Sequence, residues 1–220
     1  MEKNVPIIWV EGIIASGKTT FAREVAKRLG FRLLEEPVDN NEYLEAFYKD
    51  PKTYALQLQL HMMRNRYVMK QEASFGAARG VEKGYILDRC MPGDRVFAKL
   101  HWRKGNIDDL GFKLYETWYD TMARHYNPPT ALIYLNCQPE TAYARMKERS
   151  RSCENAVPLE YLQELKAGYE ELLLELERGL VPWFHSVKPH SIIYDGNIRT
   201  EQEWEYLTRT VSDICKRHTS

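Results

Sequence analysis

The residues Gly12-Ile13-Ile14-Ala15-Ser16-Gly17-Lys18-Thr19 fit the spacing G-x-x-x-x-G-K-T. Chemistry explains each fixed position. Gly12 and Gly17 let the backbone curl until several amide N–H groups converge on a polyphosphate, with the N-terminus of a helix behind them. Lys18 reaches the outer phosphates, and the hydroxyl of Thr19 sits where a Mg²⁺ ion needs an oxygen ligand. Ile14, Ala15, Ser16 and Thr20 complete the cradle. The flanks agree: Val5, Ile7, Ile8, Trp9 and Val10 read as a strand leading in, and Phe21, Val25 and Leu29 recur at helical spacing until Gly30. A strand, this loop and a helix in that order bind a nucleoside triphosphate.

Two further places carry acids where a phosphoryl acceptor would lie. Phe31-Arg32-Leu33-Leu34 reads as a short strand ended by Glu35-Glu36-Pro37. Alternation points the two glutamates to opposite sides, and Glu36 is the one positioned to take a proton from, or orient, a hydroxyl acceptor. A surface glutamate before a turn is the plain alternative. Tyr85-Ile86-Leu87 is apolar until Asp88-Arg89. Asp88 can hold Mg²⁺ directly or through water, and Arg89 can neutralise a transferring phosphoryl group or pair with the base. A structural ion pair at a strand end would look the same. Arg145, Arg149 and Arg151 form either a solvated helix end or a lid that closes on phosphates and excludes water.

The elements that must position these residues follow a simple rhythm. Helical patterns are expected over a short segment carrying Tyr43, Leu44, Phe47 and Tyr48 with Asn40 as its cap, then over residues 54–78, 106–126, 139–149, 158–179 and 201–217. Buried strands are expected at Ala131-Leu132-Ile133-Tyr134-Leu135 and Ser191-Ile192-Ile193-Tyr194. Apolar strands alternating with helices imply an α/β chain with a five-stranded parallel sheet covered on both faces. Ligands of such sheets bind at the carboxyl ends of the strands. No linker or repeat divides the chain, so residues 1–220 are read as one domain.

Lys and Arg together number 31, as do Asp and Glu, so the net charge is zero. That argues against a nucleic-acid partner, and no run is apolar enough to span a bilayer. Cys90, Cys137, Cys153 and Cys215 show no C-x-x-C or zinc spacing, which favours free thiols in a reducing compartment. The first strand begins too early for a signal or transit peptide, so the cytoplasm is expected.

Six motifs in order, EGIIASGKTT, LLEEPVDN, FYKDP, LQLQ, LDRC and ERSRSCENAVPLEYLQELKAGYEELL, resemble the deoxyribonucleoside kinase family, including its deoxycytidine, deoxyguanosine and deoxyadenosine kinases. The similarity runs from about Val5 to Tyr194. It implies a P-loop kinase fold with an arginine-rich lid at about residues 145–157. It also implies transfer of the γ-phosphoryl group of ATP, with Mg²⁺, to the 5′-hydroxyl of a deoxynucleoside. Glu36 would be the general base and Arg89 its neighbour, with Lys18 on the phosphates and Asp88 the metal-associated acid. Arg145, Arg149 and Arg151 match the lid arginines, and Asp195-Gly196-Asn197 the loop beside the donor adenine. Tyr48 and Glu154 match the pair holding the sugar 3′-hydroxyl, and Gln59 the amide that reads the base.

Arg66 and Asp94 resemble the pair in members that accept deoxycytidine or purines, where thymidine-preferring relatives carry smaller apolar residues. A carboxylate suits an exocyclic amino group and not a carbonyl; an ordinary ion pair between neighbouring helices is the plain alternative for both residues. Asp88-Arg89-Cys90 departs from the usual Glu-Arg-Ser, and the Asn41 region resembles purine-preferring members. The resemblance further implies a homodimer formed through the two long helices at 54–78 and 106–126. A nucleoside monophosphate kinase of the thymidylate kinase type shares the loop, the Asp-Arg and the lid. It would need extra cations where this chain offers Glu36, Tyr48 and Glu154.

Overall fold

Alternation along the central strands decides which helix covers which face of the sheet. The computed structural model describes residues 5–37, 41–125, 128–149, 157–181, 189–192 and 200–219. In chain order the elements are β1 (Ile7–Glu11), α1 (Lys18–Leu29), β2 (Arg32–Leu34), α2 (Glu42–Lys49), α3 (Pro51–Ala78) and β3 (Tyr85–Asp88). They continue with α4 (Met91–Arg103), α5 (Asp109–Ala123), β4 (Ala131–Leu135), α6 (Pro139–Arg149), α7 (Leu159–Glu177), β5 (Pro189–Ile192) and α8 (Glu201–Thr219).

Ile8, Val10, Ile86, Ile133 and Leu135 point to one face, where they meet Phe21, Ala22 and Val25 of α1 and Leu207 and Val211 of α8. Trp9, Tyr85, Leu87, Leu132 and Tyr134 point to the other, into a larger core with Met63 and Met69 of α3, Val96 and Ala98 of α4, and Leu162, Leu165 and Tyr169 of α7. Each fully buried Leu, Ile or Phe contributes about 1.5–3 kcal/mol.

All pairings are parallel and the strand order is β2-β3-β1-β4-β5. The chain leaves β1 toward β3 and β2, then crosses to β4 and β5. The order therefore reverses at β1, and the crevice at such a reversal is where α/β sheets bind ligands. The loop after β1 opens into it.

Several boundaries differ from the sequence reading, each for a local reason. Helix α4 was not expected, because Pro92 and Gly93 look like breakers. They stand in its first turn, where a missing N–H costs nothing. Helix α3 starts at Pro51 with Asp50 as its cap, the side chain accepting from Thr53 N–H at 3.2 Å, so Asp50-Pro51 opens this helix as well as closing α2. Asn41 caps α2, accepting from Leu44 N–H at 3.2 Å, and Asn40 lies outside the described residues. Helix α5 begins at Asp109 because Asp108 accepts from Gly111 N–H at 2.6 Å. Strand β5 starts at Pro189, two residues earlier than expected, and Ile193 and Tyr194 lie outside the described residues.

Cys90 is a buried free thiol, Cys137 and Cys215 are buried, and Cys153 lies outside the described residues. Among the described residues no helix is long and apolar enough to cross a membrane.

Candidate active site

The loop between β1 and α1 is shaped by close backbone approach. At Gly12 a side chain would strike the carbonyl of Leu135 at 2.9 Å and Ser16 Oγ at 2.7 Å, so β4 and the loop can touch only through glycine. Gly17 and Ala15 take left-handed conformations with φ of 89° and 57°. Lys18 Nζ donates to the carbonyl of Ile13 at 2.6 Å and lies 3.4 Å from Ser16 Oγ. Burial lowers its amine to about 7, and Arg89 adds to this, against Asp88, Glu11 and Glu36. Ile14, Ala15, Lys18 and Thr19 line the cleft, whereas Thr20 is exposed on α1.

At the end of β3, Asp88 Oδ2 accepts from Thr19 Oγ1 at 2.5 Å. Its other oxygen, Oδ1, is buried without a hydrogen-bond partner among the described residues. Desolvation raises this carboxyl, and Lys18 and the Thr19 hydrogen bond oppose it. An orphaned carboxylate oxygen beside a threonine hydroxyl is a donor set that suits Mg²⁺, a cation that takes one or two carboxylates and keeps several waters.

Arg89 adopts a left-handed backbone with φ of 77°, a conformation costing about 1–3 kcal/mol outside glycine. Its side chain explains what sustains it. Nε lies 3.0 Å from Glu36 Oε2. Nη1 donates to Tyr169 Oη at 3.0 Å and to the Gly12 carbonyl at 3.3 Å, and lies 3.6 Å from Glu11 Oε2. Glu11 in turn accepts from Cys90 N–H at 2.7 Å and from Tyr169 Oη at 2.7 Å. Sequence reasoning passed over Glu11 and Tyr169. A charged residue ending the apolar run Ile7–Val10 was the available signal.

Glu36 and Glu35 diverge as alternation requires. Glu35 pairs with Arg23 at the surface, at 2.5 Å. Glu36 turns inward, and its Oε1 accepts from Arg66 Nε at 2.9 Å and Nη2 at 2.6 Å. Burial alone would raise its carboxyl, yet Arg66, Arg89 and Lys18 outweigh that and hold it below the ordinary range. Glu36 therefore stays ionised at neutral pH.

The far side of the cleft is formed by Phe47, Tyr48, Leu58, Gln59, Met62, Arg66, Phe97, His101 and Tyr161. Tyr161 Oη lies 3.2 Å from His101 Nε2, and burial lowers that imidazole to about 4, so it is neutral at working pH. Phe97 sits beneath both guanidiniums, 5.0 Å from Arg89 and 5.9 Å from Arg66. Phe97, His101 and Tyr161 were not singled out from sequence.

Asp94 does not line the cleft. It is fully buried behind Arg66, with one oxygen on Arg66 Nη1 and the other accepting from Tyr115 Oη at 2.6 Å. Desolvation raises its carboxyl to about 6 despite Arg66. Arg149 reaches the cleft from the end of α6. Arg145 lies outside the cleft lining, its Nη1 3.7 Å from Cys137 Sγ and its Nη2 buried without a hydrogen-bond partner among the described residues. Arg151, Glu154, Asp195, Gly196 and Asn197 lie outside the described residues.

Residues 8–216 match the family model described as deoxynucleoside kinase. The chain is 35% identical over 189 residues to the deoxyadenosine kinase of Dictyostelium discoideum, covering 84% of this chain and 75% of that one. It is 33% identical over 175 residues to the deoxyadenosine/deoxycytidine kinase of Bacillus subtilis, covering 77% and 78%. Among solved structures, deoxyadenosine kinase from M. mycoides with bound dATP superposes with a TM-score of 0.76 at 26% identity, covering 94% of this chain and 99% of that one.

One consequence of the Glu11 cluster can be tested directly. A methyl group at position 93 would fall on the Glu11 carboxylate, which Cys90 and Tyr169 hold in place. Gly93→Ala should lower stability by about 1–3 kcal/mol, as overpacking does, and lower turnover by disturbing Arg89. A thermal melt matching that of the unmodified protein would show that Glu11 is free to move.

Proposed function

The chain belongs to the deoxynucleoside kinase family and is an ATP-dependent phosphotransferase. From that premise we propose that Glu36 receives the proton of the 5′-hydroxyl, and that the favoured acceptors are purine deoxynucleosides or deoxycytidine before thymidine. The observation that carries the reading is one cleft in which an ionised, buried carboxylate faces the lysine of a phosphate loop. A carboxylate held below its ordinary range is a weak base, but it is always ionised, so it dependably accepts the hydroxyl's hydrogen bond and takes the proton as the new bond to phosphorus forms. That is sufficient where the transition state is loose and positioning supplies most of the catalysis. An acceptor already carrying phosphate would bring its charges against Glu36, and the comparisons do not support the thymidylate kinase type.

In this reading Lys18 and the loop amides bind the triphosphate. Arg89 keeps Glu36 oriented and offers positive charge to the transferring group. Tyr48 and Glu154 hold the sugar, and Gln59 reads the base edge from the cleft wall. Asp88 and Thr19 would hold Mg²⁺, which when bound neutralises charge on the triphosphate. Arg145, Arg149 and Arg151 belong to a lid at about residues 145–157, and Arg149 on the cleft wall supports that assignment. Asp195-Gly196-Asn197 would border the donor adenine. The names of the relatives, deoxyadenosine and deoxyadenosine/deoxycytidine kinases, support the base preference. The chain is read as one cytoplasmic domain.

A labelled-phosphate transfer panel over deoxyadenosine, deoxyguanosine, deoxycytidine and thymidine tests the assignment. Transfer to the first three should exceed transfer to thymidine, and dominant thymidine activity would refute the preference. In the same assay Glu36→Gln should cut kcat by roughly 10²–10⁴ while leaving nucleoside binding nearly intact. Turnover unchanged by that substitution would end the case for Glu36.

The metal assignment has its own test. Asp88→Asn should raise the Mg²⁺ concentration giving half-maximal activity by about ten-fold or more. An unchanged Mg²⁺ dependence would remove Asp88 from the metal's surroundings.

The proposed partner is a second copy of the chain. Leu110, Leu114 and Trp118 lie four residues apart along α5 and are 77%, 46% and 49% exposed, a stripe on one helical face. Leu56 of α3 borders the same apolar groove. Leu110→Glu with Trp118→Glu should convert a dimer to a monomer in sedimentation equilibrium. A monomeric unmodified protein would exclude this pairing.

A further inference from the structure

Arg66 enters the cleft as a wall of the nucleobase pocket, yet three of its N–H groups point elsewhere. Nε and Nη2 both donate to Glu36 Oε1, at 2.9 and 2.6 Å, and Nη1 donates to Asp94. Asp94 is in turn gripped from α5 by Tyr115 Oη at 2.6 Å. Arg66, Asp94 and Tyr115 are all buried, so solvent does not dilute the contacts that Asp94 makes with Arg66 and Tyr115.

Glu36 needs such support. It follows β2, a strand of only three residues at the edge of the sheet, and no helix or strand includes it. Its orientation must come from the side chains that hold its two oxygens. Arg89 holds Oε2 and Arg66 holds Oε1. If only Arg89 acted, the carboxylate could swing about that one contact. Two guanidiniums on separate oxygens leave it a single orientation, with its remaining lone pairs aimed at the cleft.

We infer that Arg66 is a positioning residue for phosphoryl transfer, fixing Glu36 through a fork that Asp94 and Tyr115 anchor from behind. The inference rests on the reading of Glu36 as the residue that serves the 5′-hydroxyl. It goes beyond base selection, because the contacts to Glu36 are the same whichever base occupies the pocket. Lysine cannot replace this fork: one ammonium can reach Glu36 or Asp94 but cannot present parallel donors to the first while holding the second.

The experiment is a comparison of kcat and KM for Arg66→Lys with every deoxynucleoside that the unmodified protein accepts. Loss of base reading alone would raise KM and reorder the substrates, with kcat at saturation intact. Loss of positioning should lower kcat by about ten- to a hundred-fold, by the same factor for each base, as misplacement of a catalytic group does. A kcat within two-fold of the unmodified value would overturn the inference.

Where Arg66→Lys gives no cooperative melt, Tyr115→Phe decides, since it removes one hydroxyl and leaves every charge in place. A two- to five-fold fall in kcat common to all bases supports the anchor, and an unchanged kcat overturns it. Glu36→Gln run alongside separates the two levels. If it retains full turnover, the reading of Glu36 fails and this inference with it. If it loses turnover while Arg66→Lys does not, only the inference falls.

Discussion

A chain of alternating charge runs through the interior from Asp94 to Arg66, Glu36, Arg89 and Glu11, and each of the three middle ions touches one of opposite sign on either side. Removing an ion from water costs several kcal/mol even after relaxation, and the attraction of a neighbour offsets this only where geometry is good. Taking out an interior member strands its partners, and breaking such a buried pair costs about 3–5 kcal/mol. The five side chains come from α4, α3, the turn after β2, the turn after β3, and β1. Their charges can be satisfied only when those elements have packed in the native arrangement. The cleft and the fold are thus specified by the same contacts.

The parallel sheet makes this convergence possible. In a parallel sheet every strand delivers its following residue to the same edge, and reversal of strand order at β1 opens a gap there. Gly12, Glu36 and Asp88-Arg89 each follow or end a strand, so residues from distant parts of the chain meet without a dedicated scaffold. Helices α3, α4 and α7 then close the gap with their inward faces. The strained backbone at Arg89 has a physical counterpart in its four partners, because a relaxed turn would aim the guanidinium away from Glu36 and Tyr169.

How much of this could be read from the residues alone follows from how local each signal is. The phosphate loop was legible because its chemistry is contiguous, eight residues whose types admit few other uses. Glu36 and Asp88-Arg89 were legible because a carboxylate ending an apolar run points to a sheet edge. Glu11 was overlooked although it satisfies the same rule, since the loop beside it absorbed the interpretation. Tyr115 and Tyr169 could not be found that way. Tyrosines at helical spacing look like core, and what distinguishes these two is a hydroxyl aimed at an acid 21 residues away in one case and 158 in the other. Asp94 shows a further limit. It was expected to read the base beside Arg66, with an ion pair to Arg66 as the alternative, and its place behind Arg66 depends on how deeply α4 packs.

Charge balance leads to one last step. In the ion-pair cluster behind the cleft four carboxylates, Glu11, Glu36, Asp88 and Asp94, meet three cations, Lys18, Arg66 and Arg89. With Lys18 protonated the cluster carries a small net negative charge, and a triphosphate would bring several more. Lys18 and the loop amides meet part of that charge, helped by the N-terminus of α1, worth about half an elementary charge. Nearly all of the cleft's other positive charge is already committed to carboxylates. In the proposed function the rest of that charge would be met by cations that come with the nucleotide, among them the divalent ion proposed at Asp88 and Thr19. Arg149, exposed at the end of α6 and lining the cleft, is a guanidinium outside the buried cluster, and the proposed lid would bring it toward that charge. A further cation buried against Glu36 would compete with Arg66 and Arg89 for its oxygens and loosen the orientation proposed for transfer.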